Sequence, residues 1–169
     1  MRVLDGAWVL GFGSELTNMD SRPVVLGSRA TKGRPAAGYG GLFWRGPRSF
    51  TGSAQVVVPG GIGGDELMGE EGPWMAMRGR HDGSDRGSTL VFADARADPR
   101  LPTRWSVRVN PYACLGTAPF FDTEYTSEPG DTVRLRYQVA VANGLLDPGE
   151  CEALAGKAFP EVDEEEGQP

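Results

Sequence analysis

The 169-residue sequence predicts an all-β domain, an antiparallel twisted β-sandwich with one short helix towards the C-terminus. Three observations lead to this fold class. The 25 glycines and 13 prolines lie along the chain without a period, which is typical of many short strands joined by tight turns. Apolar residues alternate with polar or small ones between those turns. Turn signals recur at a spacing of roughly 8–15 residues, as in a sandwich.

The first strand is expected at residues 7–16. There Trp8, Leu10 and Phe12 alternate with smaller residues, while Gly11 and Gly13 suggest a bend. Further strands are expected at residues 23–26, 41–44, 53–58, 74–79, 88–93 and 105–109. The connecting loops would include residues 59–64, 81–85 and 94–102.

The clearest strand covers residues 132–142. Its apolar positions follow a strict period of two, which places them on one core face: Val133, Leu135, Tyr137, Val139 and Val141. The preceding Glu128-Pro-Gly-Asp131 predicts a turn, because proline presets φ and glycine accepts the positive φ of a type II turn.

One helix is expected after these strands. Asp147 is a suitable N-cap, Pro148 occupies the first helical position and Glu150 completes a capping box. Leu146 and Cys151 then take the positions of a hydrophobic staple. The helix should run to about residue 157, and Cys151 should be a buried packing residue rather than a reactive thiol.

Charge and length predict one domain at residues 1–160 and a disordered acidic tail at 161–169. The tail carries five acidic groups and no basic one, and the rest of the chain carries 18 acidic and 17 basic side chains. This nearly neutral body has no basic stripe, so we expect no nucleic-acid partner. With no signal sequence, no apolar run of the ~18–20 residues that a membrane helix needs and only two cysteines, we expect a soluble cytoplasmic protein.

The only histidine, His81, is the candidate general acid or base, and Asp82 or Glu70 would orient it. The competing interpretation is a hairpin loop in which Asp82-Gly83 forms the turn, with Glu70 in a solvated loop. One histidine cannot build a multi-histidine metal site, so we expect neither a metal nor a cofactor. The glycine run at residues 60–64 lacks the Lys-Ser/Thr of a P-loop and predicts a mobile loop.

Residues 38–48 form the most distinctive segment. Aromatic faces beside guanidinium groups suit a sugar ring, which predicts a substrate-binding platform made of Tyr39, Trp44, Arg45 and Arg48, joined by Arg108. The alternative is equally simple: the aromatic rings fill the core and the arginines extend to its rim.

The chain also resembles the C-terminal part of the PmoA-like family, a domain of unknown function often labelled "methane oxygenase PmoA". The similar segments are Tyr39-Gly-Gly-Leu-Phe-Trp-Arg45, residues 94–100, Trp105-Ser-Val-Arg108 with Tyr112, Pro119-Phe-Phe121, Pro129-Gly130 and Leu135-Arg-Tyr137. Asp94-Ala-Arg-Ala-Asp98-Pro-Arg100 lacks the histidine that this family carries there, which puts any role given to that histidine in doubt. The absence of membrane segments and metal ligands argues against the oxygenase label.

The resemblance implies a partial supersandwich of the galactose-mutarotase type with a carbohydrate-related function, either sugar binding or part of a sugar-processing enzyme. The alternative is a non-catalytic interaction module or a fragment of a longer protein. The expected partners are a carbohydrate ligand and either a second copy or a missing N-terminal half. The residues do not decide whether the chain is an enzyme.

Overall fold

The computed structural model describes residues 1–4, 6–94 and 104–158. These residues form one α-helix, α1 (Pro148–Ala158), and short 3₁₀ turns at Arg48–Phe50 and Asp65–Leu67. They also form twelve strands: β1 (Arg2–Leu4), β2 (Ala7–Thr17), β3 (Val24–Leu26), β4 (Phe43–Arg45), β5 (Gln55–Val58), β6 (Gly61–Gly63), β7 (Trp74–Arg80), β8 (Gly87–Asp94), β9 (Trp105–Arg108), β10 (Cys114–Thr117), β11 (Tyr125–Ser127) and β12 (Thr132–Asn143).

The strands make a large sheet, a small sheet and a two-stranded ribbon. The large sheet has the order β1-β2-β12-β8-β7-β5-β6, the small sheet β4-β10-β9, and the ribbon β11-β3. Every pairing between these described strands is antiparallel. The predicted all-β antiparallel architecture with one short helix is therefore confirmed, and the stacking of two sheets is that of a β-sandwich.

The longest pairing joins β2 to β12, which are neighbours in the large sheet. It runs without interruption from Ala7↔Ala142 to Thr17↔Thr132. The turn predicted before β12 is present, because the Asp131 amide donates to the Glu128 carbonyl at 2.9 Å and Gly130 has a φ of 80°. The alternation of apolar residues in β12 thus predicted the strand and its two faces correctly.

Alternation sorts the large sheet into a front face of large residues and a back face that, apart from Trp74, carries mostly small ones. The front face packs against the small sheet, burying Met75, Met77, Leu90, Phe92 and Val139 with Trp105, Val107 and Leu115. The back face packs against α1, burying Ala76, Val91, Ala93, Ala140 and Ala142 with Cys151, Leu154, Ala155 and Ala158. The small back-face side chains let the helix approach the sheet closely.

The helix α1 begins as predicted. The Glu150 amide donates to Asp147 Oδ1 and the Asp147 amide donates to Glu150 Oε2, each at 2.8 Å, which is a capping box. Cys151 is fully buried, as expected for a packing residue, and burial raises the pKa of its thiol to about 11. No helix in the described ranges is long and apolar enough to cross a membrane.

Several boundaries differ from the sequence-based prediction. The expected mobile loop at 59–64 instead contains β6, because Gly60 takes a φ of 79° and turns the chain so that Gly61 pairs with Val58. Strands β1, β10 and β11 were not predicted. The loop at 81–85 is confirmed, since the His81 amide donates to the Arg86 carbonyl at 2.9 Å. Residues 95–102 of the expected 94–102 loop and the predicted tail at 161–169 lie outside the described residues.

Candidate functional site

A cleft of about 360 Å³ lies between the front face of the large sheet and the segment that carries β4. We call it the interlayer cleft. It is lined by Trp8, Leu10, Leu42, Phe43, Trp44, Pro47, Phe50, His81, Ser88, Leu90, Phe92, Val139 and Val141. Apart from the two indole nitrogens, the polar side-chain groups in this lining belong to His81 and Ser88. The cleft is therefore an apolar chamber with one polar end.

A glycine determines how deeply Phe50, one of the residues that line the interlayer cleft, can pack. Phe50, in the first 3₁₀ turn, is buried against Gly79 of β7, and a Cβ added to Gly79 would lie 2.8–2.9 Å from ring atoms of Phe50. The absence of a side chain at Gly79 is what lets the Phe50 ring reach this depth. The Trp44 ring then meets Phe50 edge-on, with centroids 6.0 Å apart and planes at 71°.

The polar end is built by the β7–β8 hairpin. Gly79 pairs with Ser88, so alternation places His81 on the same face as Ser88. The His81 Nε2 and Ser88 Oγ atoms are 2.8 Å apart, and the imidazole centroid lies 5.7 Å from that of Phe50. Either atom of the His81–Ser88 hydrogen bond can donate, depending on the imidazole tautomer. The pair can offer a ligand a donor or an acceptor at one fixed point.

The mouth of the interlayer cleft is formed by large apolar side chains. Trp8, Leu10 and Phe43 are 43%, 42% and 49% exposed. Half-exposed side chains of this size around a cleft are characteristic of a binding surface rather than of a closed core.

Two of the three predicted arginines, Arg45 and Arg108, lie on the other side of the small sheet. Arg45 and Arg108 both pair with Cys114, one from each side, so they flank that residue on the outward face. The Arg45 guanidinium carbon lies 4.0 Å from the centroid of the Tyr112 ring, and Arg108 Nη2 donates to the Ala36 carbonyl at 3.2 Å. We call Arg45, Arg108 and Tyr112 the outer arginine cluster. It does not share a surface with His81, contrary to expectation.

The thiol beneath the outer arginine cluster is that of Cys114. Cys114 is almost fully buried, and burial raises its pKa although the neighbouring charges of Arg108 and Arg45 act in the opposite direction. Both cysteines are free thiols.

The remaining predicted residues are dispersed. Glu70 precedes β7 while His81 follows it, and a seven-residue strand separates its ends by roughly 20 Å. The Glu70 carbonyl accepts from the Trp105 amide at 3.1 Å. Asp82 is exposed in the hairpin turn, and Tyr39 and Arg48 are exposed on the surface. The structure therefore does not bring Glu70 to His81, and the catalytic roles of His81, Asp82 and Glu70 stay predictions.

Of the predicted residues, the interlayer cleft unites His81 and Trp44. Sequence reasoning missed Ser88, Trp8 and Phe50 as lining residues. The Asp82-Gly83 signal did not indicate Ser88, because a two-residue turn there would pair His81 with Ser84, whereas the observed loop is longer and pairs Gly79 with Ser88.

The fold and cleft define the class: a small antiparallel β-sandwich with an apolar pocket between its layers. The sequence model of the family of unknown function (DUF6807) matches residues 1–156. The chain therefore belongs to this family. The expected membership in the PmoA-like family, and in its C-terminal part alone, is wrong, because the matched model is that of DUF6807 and spans nearly the whole chain.

No curated protein and no solved structure shows significant similarity to the chain. The galactose-mutarotase type that the resemblance implied therefore stays a prediction.

Proposed function

We propose that the protein is a binding module that takes a mainly apolar, flat group into the interlayer cleft. The observation that supports this is the lining: several aromatic rings face one another, and the polar side chains are confined to the His81–Ser88 pair. A volume of about 360 Å³ falls in the range of about 300–1,000 Å³ that is usual for small-molecule sites.

The expected ligand has an aromatic or alicyclic body and one hydroxyl or carbonyl group. The body would pack against Trp44 and Phe92, since apolar area removed from water supplies most of the binding free energy. Its polar group would hydrogen-bond to His81 or Ser88. Among the described residues that line the interlayer cleft there is no carboxylate, so an oriented acid–base pair has less support than simple binding.

The test compares 2-naphthol with 2-methoxynaphthalene by calorimetry and saturation-transfer NMR. We expect saturable binding of 2-naphthol, weakened about 2- to 10-fold by Ser88→Ala, because one net hydrogen bond contributes about 0.5–1.5 kcal/mol. The methoxy compound cannot donate and should respond less to Ser88→Ala. Arg45→Ala, outside the interlayer cleft, is the control and should bind like the wild type. Absence of saturable binding by the wild type would contradict the proposal.

A carbohydrate-related function is the second candidate, and the outer arginine cluster favours it. Two guanidinium groups on either side of one residue, one stacked on a tyrosine ring, suit the carboxylate of a sugar acid better than a neutral sugar. Calorimetry with glucuronate and glucose tests this. Binding of glucuronate that Arg45→Ala abolishes and Ser88→Ala leaves unchanged would support this candidate. Equal responses of the wild type and Arg45→Ala would count against it.

A further inference from the structure

Strand β2 has an open outer edge. The neighbouring strand β1 covers only its beginning, since the β1 pairings end with Arg2↔Val9. Among the described residues, no strand pairs with the outer side of β2 from residue 10 to 17. In the same segment Phe12 and Leu16, on the front face, are 40% and 45% exposed. An open edge with an apolar face beside it is a surface suited to pairing with another strand.

The direction of the backbone groups along this edge can be read from the turn after β2. The Asn18 amide donates to the Asp131 carbonyl at 2.9 Å, so even-numbered residues of β2 direct their N–H and C=O groups towards β12. The odd-numbered residues therefore direct theirs to the open side. These outward residues are Gly11, Gly13, Glu15 and Thr17.

The back face of this edge carries complementary charges. Arg136 is opposite Gly13, and its Cγ lies 4.0 Å from the position that a Cβ on Gly13 would take. Because Gly13 has no side chain, the Arg136 guanidinium has room to extend across β2 beyond the edge. Glu15, two residues further along, is held by Arg134 Nε at 3.0 Å.

We propose that β2 pairs antiparallel with β2 of a second copy of this chain, around a two-fold axis at Ser14. In this register Gly11 is opposite Thr17 of the second copy, and Gly13 is opposite Glu15. The outward backbone groups then form about eight hydrogen bonds. On the front face Phe12 meets Leu16 of the second copy twice, once on each side of the axis, in closely spaced non-hydrogen-bonded pairs.

Charge complementarity selects a second copy rather than an unrelated strand. In this register Arg136 and Gly13 of one copy lie in one row across the sheet with Glu15 of the second copy. Each Arg136 therefore faces a carboxylate across a glycine. The same row occurs twice because the contact is two-fold symmetric. The same edge of the sheet thus supplies both the guanidinium group of Arg136 and the carboxylate of Glu15 that faces it.

Backbone pairing and the position of β1 restrict the register. Residues opposite each other must lie on the same face, so the axis can pass through a residue but not between two residues. Moving the axis to Gly13 would set Thr17 opposite Val9, whose outward groups already pair with Arg2 of β1. The axis at Ser14 uses the whole open edge without displacing β1.

A cysteine cross-link tests the register. At the axis, Ser14→Cys would place two thiols on directly opposite residues with Cα atoms about 4.5 Å apart, within the range of a disulfide. Leu16→Cys is the matched control on the same face, since its two copies would be separated by roughly 13 Å along the strands. We expect a disulfide-linked dimer of Ser14→Cys alone under mild oxidation. The native Cys114 and Cys151 are buried and should not cross-link.

Sedimentation velocity over a concentration series tests the association itself. The contact is small, so we expect a reversible micromolar dimer of the wild type. Phe12→Lys should weaken dimerisation at least tenfold, because it sets an unpaired charge opposite Leu16. Ile62→Lys is the control: Ile62 is 47% exposed on β6, at the opposite edge of the same sheet. A monomeric wild type at every concentration, equal effects of both lysines, or equal cross-linking of the two cysteine variants would overturn the proposal.

Discussion

The two faces of the large sheet are closed to different extents. The back face is buried under α1 from the first residues of β2 to β5, and its buried residues include Val9 at one side and Val57 at the other. The front face is buried by the small sheet over β12, β8, β7 and β5, but on β2 it remains open. Adjacent residues of one strand therefore differ sharply: Val9 is 2% exposed and Trp8 is 43% exposed.

This difference shows that the open strip on β2 is not the result of a weak core. Ala7 and Val9 of the same strand are packed on its other side, so at the start of β2 the exposure belongs to the front face alone, whereas from Gly11 onwards both faces are exposed. Both the interlayer cleft, which Trp8 and Leu10 line, and the open edge at Phe12 and Leu16 belong to this one face. The comparison of the faces thus locates the surface where binding is expected.

The largest effect should come from truncating a covered front-face residue. Phe92 is buried between the sheets, and Phe92→Ala should lower the free energy of unfolding by about 3–5 kcal/mol, because it leaves a cavity in a packed core. Phe12→Ala, on the open part of the same face, should cost less than about 1 kcal/mol. Urea unfolding followed by tryptophan fluorescence measures both. Similar losses for the two variants would mean that the front face is closed on β2 as well.

A smaller effect is expected on the back face. Leu154 of α1 packs against the alanine-rich surface, so Leu154→Ala should destabilise the protein by about 2–3 kcal/mol. The matched control is Glu152→Ala, on the exposed side of the same helix, which should change stability by less than about 0.5 kcal/mol. Thermal unfolding followed by circular dichroism distinguishes them. If Leu154→Ala behaved like Glu152→Ala, the helix would not be what closes this face.

The smallest effect concerns alkaline pH. Burial raises the pKa of Tyr137, on the front face of β12, to about 12. The unfolded chain loses this proton near pH 10, so the contribution to stability is complete below pH 10 and is lost as the pH rises through 12. Tyr137→Phe should therefore flatten the decline in stability between pH 10 and 12, by on the order of 2 kcal/mol.

Urea unfolding at pH 9 and pH 11 provides the measurement, and the exposed Tyr39→Phe provides the control. A decline of the same steepness in Tyr137→Phe and in the wild type would show that Tyr137 is not protected from ionisation in the folded state. Cys151 contributes in the same direction at lower pH, because its pKa is raised from 9.0 to about 11.

The elements with strong local patterns were predictable from the sequence. The period of two in β12, the aromatic alternation in β2 and the capping residues of α1 each encode their element within a short window. The four-residue β10 and the glycine-containing β6 have no such pattern. These strands form because neighbouring strands supply their hydrogen-bond partners, and that information lies elsewhere in the chain.

The candidate site was predictable only in part, for a related reason. Trp44 and Arg45 are neighbours on β4, and neighbouring strand residues point to opposite sides of a sheet. The platform of residues 38–48 was therefore bound to divide, with Trp44 in the interlayer cleft and Arg45 in the outer arginine cluster. The alternation of side chains along a strand is sufficient to predict this division. The meeting of Phe50 with Gly79 and His81 depends on long-range packing, which no local pattern reports.

The pairing of β2 with β12 also constrains how the chain acquires its structure. Partners in this register are separated by 115 residues at Thr17↔Thr132 and by 135 at Ala7↔Ala142. Closing so long a loop costs entropy before any contact compensates for it, so such pairings slow folding. Strand β2 cannot pair with β12 until β12 has been synthesised, and throughout that interval its tryptophan, leucines and phenylalanine lack the cover of that neighbour.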